Sequence, residues 1–221
     1  MRYVELIGLP GAGKSSIAAF MERRYGWVSA REIRRRYRAS LKPKERVLYS
    51  LLSVAPRDQA LRRLWPRFEE LGSFLSRSPE AIVALEAILS HPHEDQAKVA
   101  GQLFRTFAEL EAFAGHGRPG DVIIHDEGIE QRRVSLAMRG VMQHDLLTRL
   151  APAGGSVVHV AVELRTARAR LRERNQVRND LVVCRASLLS VLETLQGSYL
   201  TVDGEASLSE VGSQIHSQYG T

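Results

Sequence analysis

The sequence predicts an α/β fold, with helices on both faces of a doubly wound parallel sheet of about five strands. Short apolar runs, typical of strands buried on both faces, alternate along the chain with sequence of helical periodicity. A glycine-rich turn joins the first apolar run directly to a helix, and such alternation of strand and helix is typical of parallel sheets. The predicted strands are residues 3–7, 26–30, 122–125, 157–162 and 199–202.

The turn after the first strand reads GLPGAGKS and matches the pattern GxxxxGK[ST]. Glycines in this pattern let backbone N–H groups surround a phosphate at the N-terminus of a helix. Lys14 is expected to reach the outer phosphates, and the Ser15 hydroxyl to ligate Mg²⁺. The residues predicted to bind ATP here are Gly8, Pro10, Gly11, Ala12, Gly13, Lys14, Ser15 and Ser16.

An arginine-rich segment, SAREIRRRYR, follows the second predicted strand at residues 29–38. Ligands of open α/β sheets bind outside the carboxyl ends of the strands, where this segment begins. Arg31 and Glu32 are therefore candidates for binding a phosphate acceptor, and Glu32 is also a candidate general base. The alternative is that these charged residues lie on a solvated helix face.

A long helical stretch separates the second and third strands. Apolar residues recur there at spacings of three and four, which is the period of an amphipathic helix. We expect residues 43–117 to form a helical insertion within a single domain of residues 1–221. The proline breaks expected in it are Pro56, Pro66, Pro79 and Pro92.

The third predicted strand ends in two acids, Asp126 and Glu127. A carboxylate at this position lies beside the phosphate loop and can hold Mg²⁺ through water, which is the role predicted for Asp126. For Glu127 three roles stay open: orienting an attacking water, as in hydrolases, or, in a kinase, contacting an acceptor or supporting the metal. Arg132 and Arg133 follow on the next helix and are candidates for binding an anionic acceptor.

The segment after the fourth strand contains ARLRER, in which Arg170 and Arg174 are one helical turn apart. An arginine fork can pair with a transferred phosphoryl group or stack on a nucleotide base. The alternative is a solvated helix face that includes Glu173.

The composition limits the class of protein. Hydrophobic residues make up 44% and charged residues 25% of the chain, and no run approaches the roughly 18 apolar residues of a membrane span. No signal-peptide pattern is found, so a cytoplasmic protein is expected. The one cysteine, Cys184, excludes an internal disulfide. The net charge of +6 comes mostly from arginines, but the chain shows no nucleic-acid-binding motif, which makes a nucleic-acid partner unlikely.

The chain resembles the nucleoside and nucleotide kinase-like branch of P-loop kinases. The motifs that carry the resemblance are the phosphate loop, the acid-ended third strand, RLRER after the fourth strand, and the closing YLTVDGEASLSEVGSQI. The resemblance implies a P-loop NTPase fold and adenine contact by residues 201–204, which include Asp203. It implies a lid-helix role for Arg170 and Arg174, and a place near the acceptor for Glu32.

One departure from that family concerns the second acid. Many members have Arg after the strand-ending Asp, whereas this chain has Glu127 and then Gly128. The departure bears on the nature of the acceptor, which the sequence leaves open, together with the oligomeric state.

The first hypothesis for function is therefore an ATP- and Mg²⁺-dependent kinase with a small, anionic or hydroxylated acceptor such as a nucleoside, nucleotide or related metabolite. The second is a regulatory P-loop ATPase in which Glu127 activates water. The third is a nucleotide-dependent module that binds RNA or an anionic membrane surface, and salt-sensitive retention on nucleic acid would distinguish it.

Overall fold

The computed structural model describes residues 1–40, 70–90, 96–176 and 178–220. A five-stranded sheet runs through it in the order β2-β3-β1-β4-β5, and every pair of neighbouring strands is parallel. This confirms the predicted fold class. The strands are β1 (Arg2–Gly8), β2 (Val28–Ser29), β3 (Val122–His125), β4 (Ser156–Ala161) and β5 (Tyr199–Asp203).

Helices follow the strands along the chain and cover both faces of the sheet. A 3₁₀ helix spans Met142–Leu150, and residues 70–77 are also helical. The α-helices are α1 (Lys14–Tyr25), α2 (Ala30–Ser40), α3 (Pro79–Leu89), α4 (Gln96–His116), α5 (Ile129–Ala137), α6 (Leu164–Glu173), α7 (Leu181–Thr194) and α8 (Leu208–Tyr219).

β2 is shorter than the predicted strand of residues 26–30, because helices occupy both of its ends. Gly26 has φ 69° and caps α1 with its backbone N–H, while Ala30 already begins α2. A left-handed glycine just after a helix is a common stop signal, so two strand residues remain between the helices.

The described parts of the predicted insertion are helical. Pro79 is the first residue of α3, as expected for a proline break that falls at a helix start. Residues 41–69 and 91–95 lie outside the described part, and with them the breaks predicted at Pro56, Pro66 and Pro92. The prediction that residues 43–117 form one insertion stays a prediction.

Three clusters of buried apolar side chains hold the layers together. The first joins α2, α3 and α4 to one sheet face, through residues such as Ile33, Ile88 and Phe107. The second packs α1 and α8 on the opposite face, through Ile17, Met21 and Ile215 among others. The third lies between β1, α5 and α7 and includes Ile7, Val134 and Val191. Within the described helices, none is long and apolar enough to cross a membrane.

Candidate active site

The phosphate loop connects β1 to α1 at the carboxyl edge of the sheet, and α6 packs closely against it. Gly11 has φ 85°, a conformation that side chains rarely adopt. A Cβ at Gly11 would lie 2.7 Å from the carbonyl oxygen of Ala167 in α6. Only glycine therefore allows the loop and this helix to approach so closely.

Lys14 is held inside the loop by backbone oxygens. Its Nζ donates to the carbonyl of Gly8 at 2.7 Å and to that of Leu9 at 3.2 Å. Burial lowers the pKa of Lys14 to about 8, and the charges of Glu127 and Asp126 oppose that change. The ammonium group therefore lies in a poorly solvated position, where the negative charge of a phosphate stabilises it strongly.

The Ser15 hydroxyl donates to Oδ2 of Asp126 at 2.5 Å. The contact follows from the topology, because β1 and β3 are neighbours and Glu5 pairs with His125 just before both strands end. Hydroxyl and carboxylate oxygens fit Mg²⁺, which in nucleotide sites takes its other ligands from water and phosphates. The described residues hold no cluster of three or more His, Cys, Asp or Glu side chains that could bind a metal alone.

Glu127 is oriented by two arginines. Arg132 donates from Nη2 to Oε2 of Glu127 at 2.7 Å, and Nη1 of Arg105 lies 3.8 Å from the same oxygen. Arg132 also donates from Nε to the Thr106 hydroxyl at 3.0 Å. The Glu127 carboxylate is thus fixed in orientation while its side chain stays 46% exposed.

A buried polar network lies beneath the site and is absent from the sequence-based predictions. The Tyr3 hydroxyl lies 2.9 Å from Nδ1 of His125, and Nε2 of His125 lies 3.0 Å from Oε2 of Glu109. Burial raises the pKa of Glu5 to about 7, although the charge of His125 opposes the shift. His125 therefore has two buried polar partners, one at each ring nitrogen.

Gln131 connects this network to the phosphate loop. Its backbone N–H donates to Oε1 of Glu5 at 2.8 Å, and its side-chain Oε1 accepts from the Gly8 N–H at 3.1 Å. One buried residue of α5 therefore fixes the first glycine of the loop. The sequence indicates this role of Gln131 only through its position, one helical turn after the acid-ended strand.

Arg170 and Arg174 lie in different settings. Arg170 donates from Nη1 to the Gly204 carbonyl at 2.9 Å and lies 3.5 Å from the carbonyl oxygens of Gly11 and Ala12. Arg174 is exposed at the C-terminal cap of α6, so the helix ends before the two arginines complete a shared face. The structure brings only Arg170 of this pair to the phosphate loop.

Two clefts open near the carboxyl ends of the strands. The first, of about 580 Å³, is lined by Lys14, Glu127, Arg132 and Cys184 among others. The second, of about 710 Å³, lies at the ends of β4 and β5, and its lining includes Asp203. The first is called the α5 cleft below, since Gln131, Arg132, Ser135, Met138 and Arg139 line it.

Glu32 is engaged away from the α5 cleft. Its Oε1 accepts from Arg35 at 3.0 Å and from Arg36 at 3.4 Å, both on its own helix. Arg31, the neighbouring candidate, is exposed. Neither Arg31 nor Glu32 lines the α5 cleft with Lys14. Glu32 forms ion pairs within its own helix instead, and such pairs need no ligand.

Arg133 is buried in the interior, at 1% exposure. Its Nη1 donates to Oε2 of Glu130 at 2.5 Å, and its Nη2 donates to Thr194 at 2.8 Å and to Asp145. These bonds fasten α5 to α7 and to the 3₁₀ helix. Of the predicted acceptor pair, Arg132 faces the α5 cleft while Arg133 is a structural residue, which corrects its predicted role.

Comparison with known proteins rests on structure alone, because no family model and no curated protein matches the sequence. Deoxyadenosine kinase from M. mycoides, solved with the products dCMP and a flexible dCDP, aligns with a TM-score of 0.55 at 12% identity. That alignment covers 99% of this chain and 98% of the other. The chain therefore shares the fold of this deoxyadenosine kinase. A second structure of that kinase, with dATP bound, has 13% identity and a TM-score of 0.50 over 100% of both chains. The predicted resemblance is thus confirmed at the level of fold.

Proposed function

We propose that the chain is an ATP- and Mg²⁺-dependent kinase that transfers the γ-phosphoryl group of ATP to a small acceptor of the nucleoside or nucleotide type. One observation carries the proposal. Lys14 belongs both to the phosphate loop and to the lining of the α5 cleft. A phosphoryl group held by Lys14 therefore faces a cleft of about 580 Å³, within the range of small-ligand sites.

The nucleotide has three groups of partners in this proposal. Backbone N–H groups of the loop and Lys14 hold the phosphates. Ser15 and Asp126 would hold Mg²⁺, and the bound ion would supply charge neutralisation for the transferring group. Arg170 lies against the loop and donates to the Gly204 carbonyl. The adenine base of ATP is assigned to the second cleft, next to Gly204, whose lining includes Asp203.

Glu127 is proposed to receive the acceptor hydroxyl. The acceptor oxygen forms a bond to the γ-phosphorus while the bond from that phosphorus to the β,γ-bridging oxygen breaks, and ADP leaves. The hydroxyl proton passes to the Glu127 carboxylate, which Arg132 holds in orientation. Glu127 takes this role in place of Glu32, because Glu127 lines the cleft and Glu32 is paired on α2.

The fold supports an acceptor of nucleoside type. Two solved structures with this fold are of a deoxyadenosine kinase, at 12% and 13% identity to this chain. Nucleosides and nucleotides are therefore the first compounds to test, followed by sugars and anionic metabolites.

An acceptor screen tests the proposal. Purified protein with ATP and Mg²⁺ is expected to release ADP slowly alone and much faster with one acceptor class. Glu127→Gln should remove most of that acceleration, roughly 100-fold, while the exposed control Glu173→Gln should keep it. Fast ADP release without any acceptor, abolished by Glu127→Gln, would instead identify a P-loop ATPase.

A further inference from the structure

Gln131 lies beyond the point where β1 and β3 stop pairing. β1 pairs with β3 up to Glu5, whereas its pairing with β4 continues to Gly8. Past the end of β3, the side chain of Gln131 takes the place of a strand neighbour, because its Oε1 accepts from the Gly8 N–H at 3.1 Å. Gln131 is only 9% exposed. The bond is therefore an interior link between α5 and the first glycine of the phosphate loop.

This bond fixes which way the amide of Gln131 points. A backbone N–H only donates, so the amide atom that faces Gly8 is the carbonyl oxygen and not the NH₂ group. The main chain of Gln131 is held as well. Its N–H donates to Oε1 of Glu5 at 2.8 Å, and its carbonyl accepts from the Ser135 hydroxyl at 3.1 Å. The protein itself therefore sets the direction of the Gln131 NH₂ group.

The NH₂ group of Gln131 is open to a ligand. Within the described part of the chain, Nε2 of Gln131 has no hydrogen-bond partner, yet it is not sealed in the interior. Gln131 lines the α5 cleft together with Lys14, Glu127 and Ser135. An amide NH₂ group carries two donors, so the cleft offers both of them to the oxygen atoms of a bound molecule.

Gly8 connects this amide to Lys14. The N–H of Gly8 donates to Gln131, and the carbonyl of the same residue accepts from Nζ of Lys14 at 2.7 Å. Both side chains also line the α5 cleft. The amide of Gln131 and the ammonium group of Lys14 are therefore two donors held by one glycine at the wall of one cleft.

A neutral donor suits a position next to Lys14. Burial lowers the pKa of Lys14 to about 8, and the charge of Arg132 acts in the same direction. A further cation at this place would lower the pKa of Lys14 again and favour its uncharged form. An amide adds a hydrogen bond to a phosphoryl oxygen without adding positive charge.

We propose that Gln131 is a further catalytic residue, whose Nε2 donates to an oxygen of the γ-phosphoryl group of ATP while its Oε1 holds Gly8. The inference rests on the proposed kinase function and adds to it a contact that the GxxxxGK[ST] pattern does not contain. Because Gly8 and Glu5 orient Gln131 in advance, the donor stabilises the charge on the transferring group with little reorganisation.

Two substitutions separate the two ends of the amide. Gln131→Glu keeps an oxygen for the Gly8 N–H but replaces the NH₂ donor by a carboxylate oxygen, whereas Gln131→Met removes both groups. ATP and ADP, each with Mg²⁺, are titrated calorimetrically at about pH 8, where a carboxylate is ionised. Only ATP has the γ-phosphoryl group, so the ratio of the Kd of ATP to that of ADP should rise about tenfold in Gln131→Met and further in Gln131→Glu. The exposed control Gln214→Glu in α8 should keep the wild-type ratio.

Turnover gives a second measurement. With acceptor present, kcat should fall about 100-fold in both variants, as for loss of one oxyanion donor, while the KM of the acceptor changes little. If the amide only holds Gly8, Gln131→Glu keeps the wild-type kcat and Kd ratio, and Gln131→Met weakens ATP and ADP binding alike. That result overturns the inference and leaves the kinase function standing. If the wild-type protein binds ATP but phosphorylates no acceptor, the proposed function fails, and the Kd ratios still decide whether Gln131 contacts the γ-phosphoryl group.

Discussion

Lys14 is a buried, charged residue of the phosphate loop. Lys14→Ala removes the cation proposed to stabilise the transferring phosphoryl group, so turnover should fall about 100- to 1,000-fold, as for loss of one oxyanion donor. Folding should not suffer, because burial disfavours this ammonium group. Steady-state ADP release and a thermal melt check both expectations. Undiminished turnover would contradict the assignment of the loop.

Asp126 and Ser15 are in direct contact and are proposed to bind Mg²⁺ together. Asp126→Asn keeps the shape of the side chain but removes the charge proposed to hold Mg²⁺, so the metal concentration for half-maximal turnover should rise at least tenfold. ATP binding without Mg²⁺ should change much less. Ser15→Ala is expected to shift the metal requirement in the same direction, since the two side chains touch. An unchanged Mg²⁺ titration in both variants would show that the pair is only structural.

Glu5 makes stability depend on pH. Its pKa is about 7 in the folded protein against an ordinary 4.5, so the folded state binds more protons between these values. The stability this group contributes is complete below pH 4.5 and is lost as pH rises through 7. Wild type should therefore lose about 2–3 kcal/mol relative to Glu5→Gln between pH 4.5 and 8.

Urea unfolding of both proteins at several pH values measures that difference. The exposed variant Glu193→Gln is the control and should follow wild type throughout. A constant difference between wild type and Glu5→Gln would mean that folding does not raise the pKa of Glu5.

Packing between the phosphate loop and α6 leads to a prediction at the scale of elements. Gly11→Ala should cost about 2–4 kcal/mol, because it adds a clash with Ala167 to a strained φ. Gly26→Ala is the matched control: its φ is 69°, but its Cβ would meet nothing within 4 Å. Strain alone should cost about 1–2 kcal/mol there. Chemical denaturation compares the two, and equal losses would contradict the close approach of loop and helix.

The bounds of a strand or helix were predictable from the sequence where a single local pattern determines them. β3 at Val122–His125 has the predicted bounds, and the glycine pattern located the turn into α1. β2 was not predictable in length, because its bounds depend on a helix cap at Gly26 and a helix start at Ala30. Apolar content alone does not reveal where a neighbouring helix takes over.

The site was predictable only in part for a similar reason. Ser15 and Asp126 are far apart in sequence, but the parallel sheet brings them together at its carboxyl edge. Arg132 and Arg133 are neighbours on α5, yet consecutive helical residues point about 100° apart. Which one faces the cleft depends on tertiary packing, and so does the burial of Gln131 against Gly8.

On the scale of the whole molecule, the arginines that give the chain its net charge of +6 lie in different environments. Arg133 is used inside the protein to join helices, and Arg36 pairs with Asp121 at 2.5 Å. Arg139 and Arg178 line the α5 cleft. Composition alone does not separate these uses.

The fate of the γ-phosphoryl group of ATP tests the central claim most directly. Wild-type protein is incubated with Mg²⁺, γ-labelled ATP and the acceptor selected by the screen, and the products are separated by chromatography. The kinase assignment predicts that label appears in the phosphorylated acceptor in a one-to-one ratio with ADP, and that Lys14→Ala removes it. Label found in inorganic phosphate alone, at a rate that no acceptor changes, would contradict it.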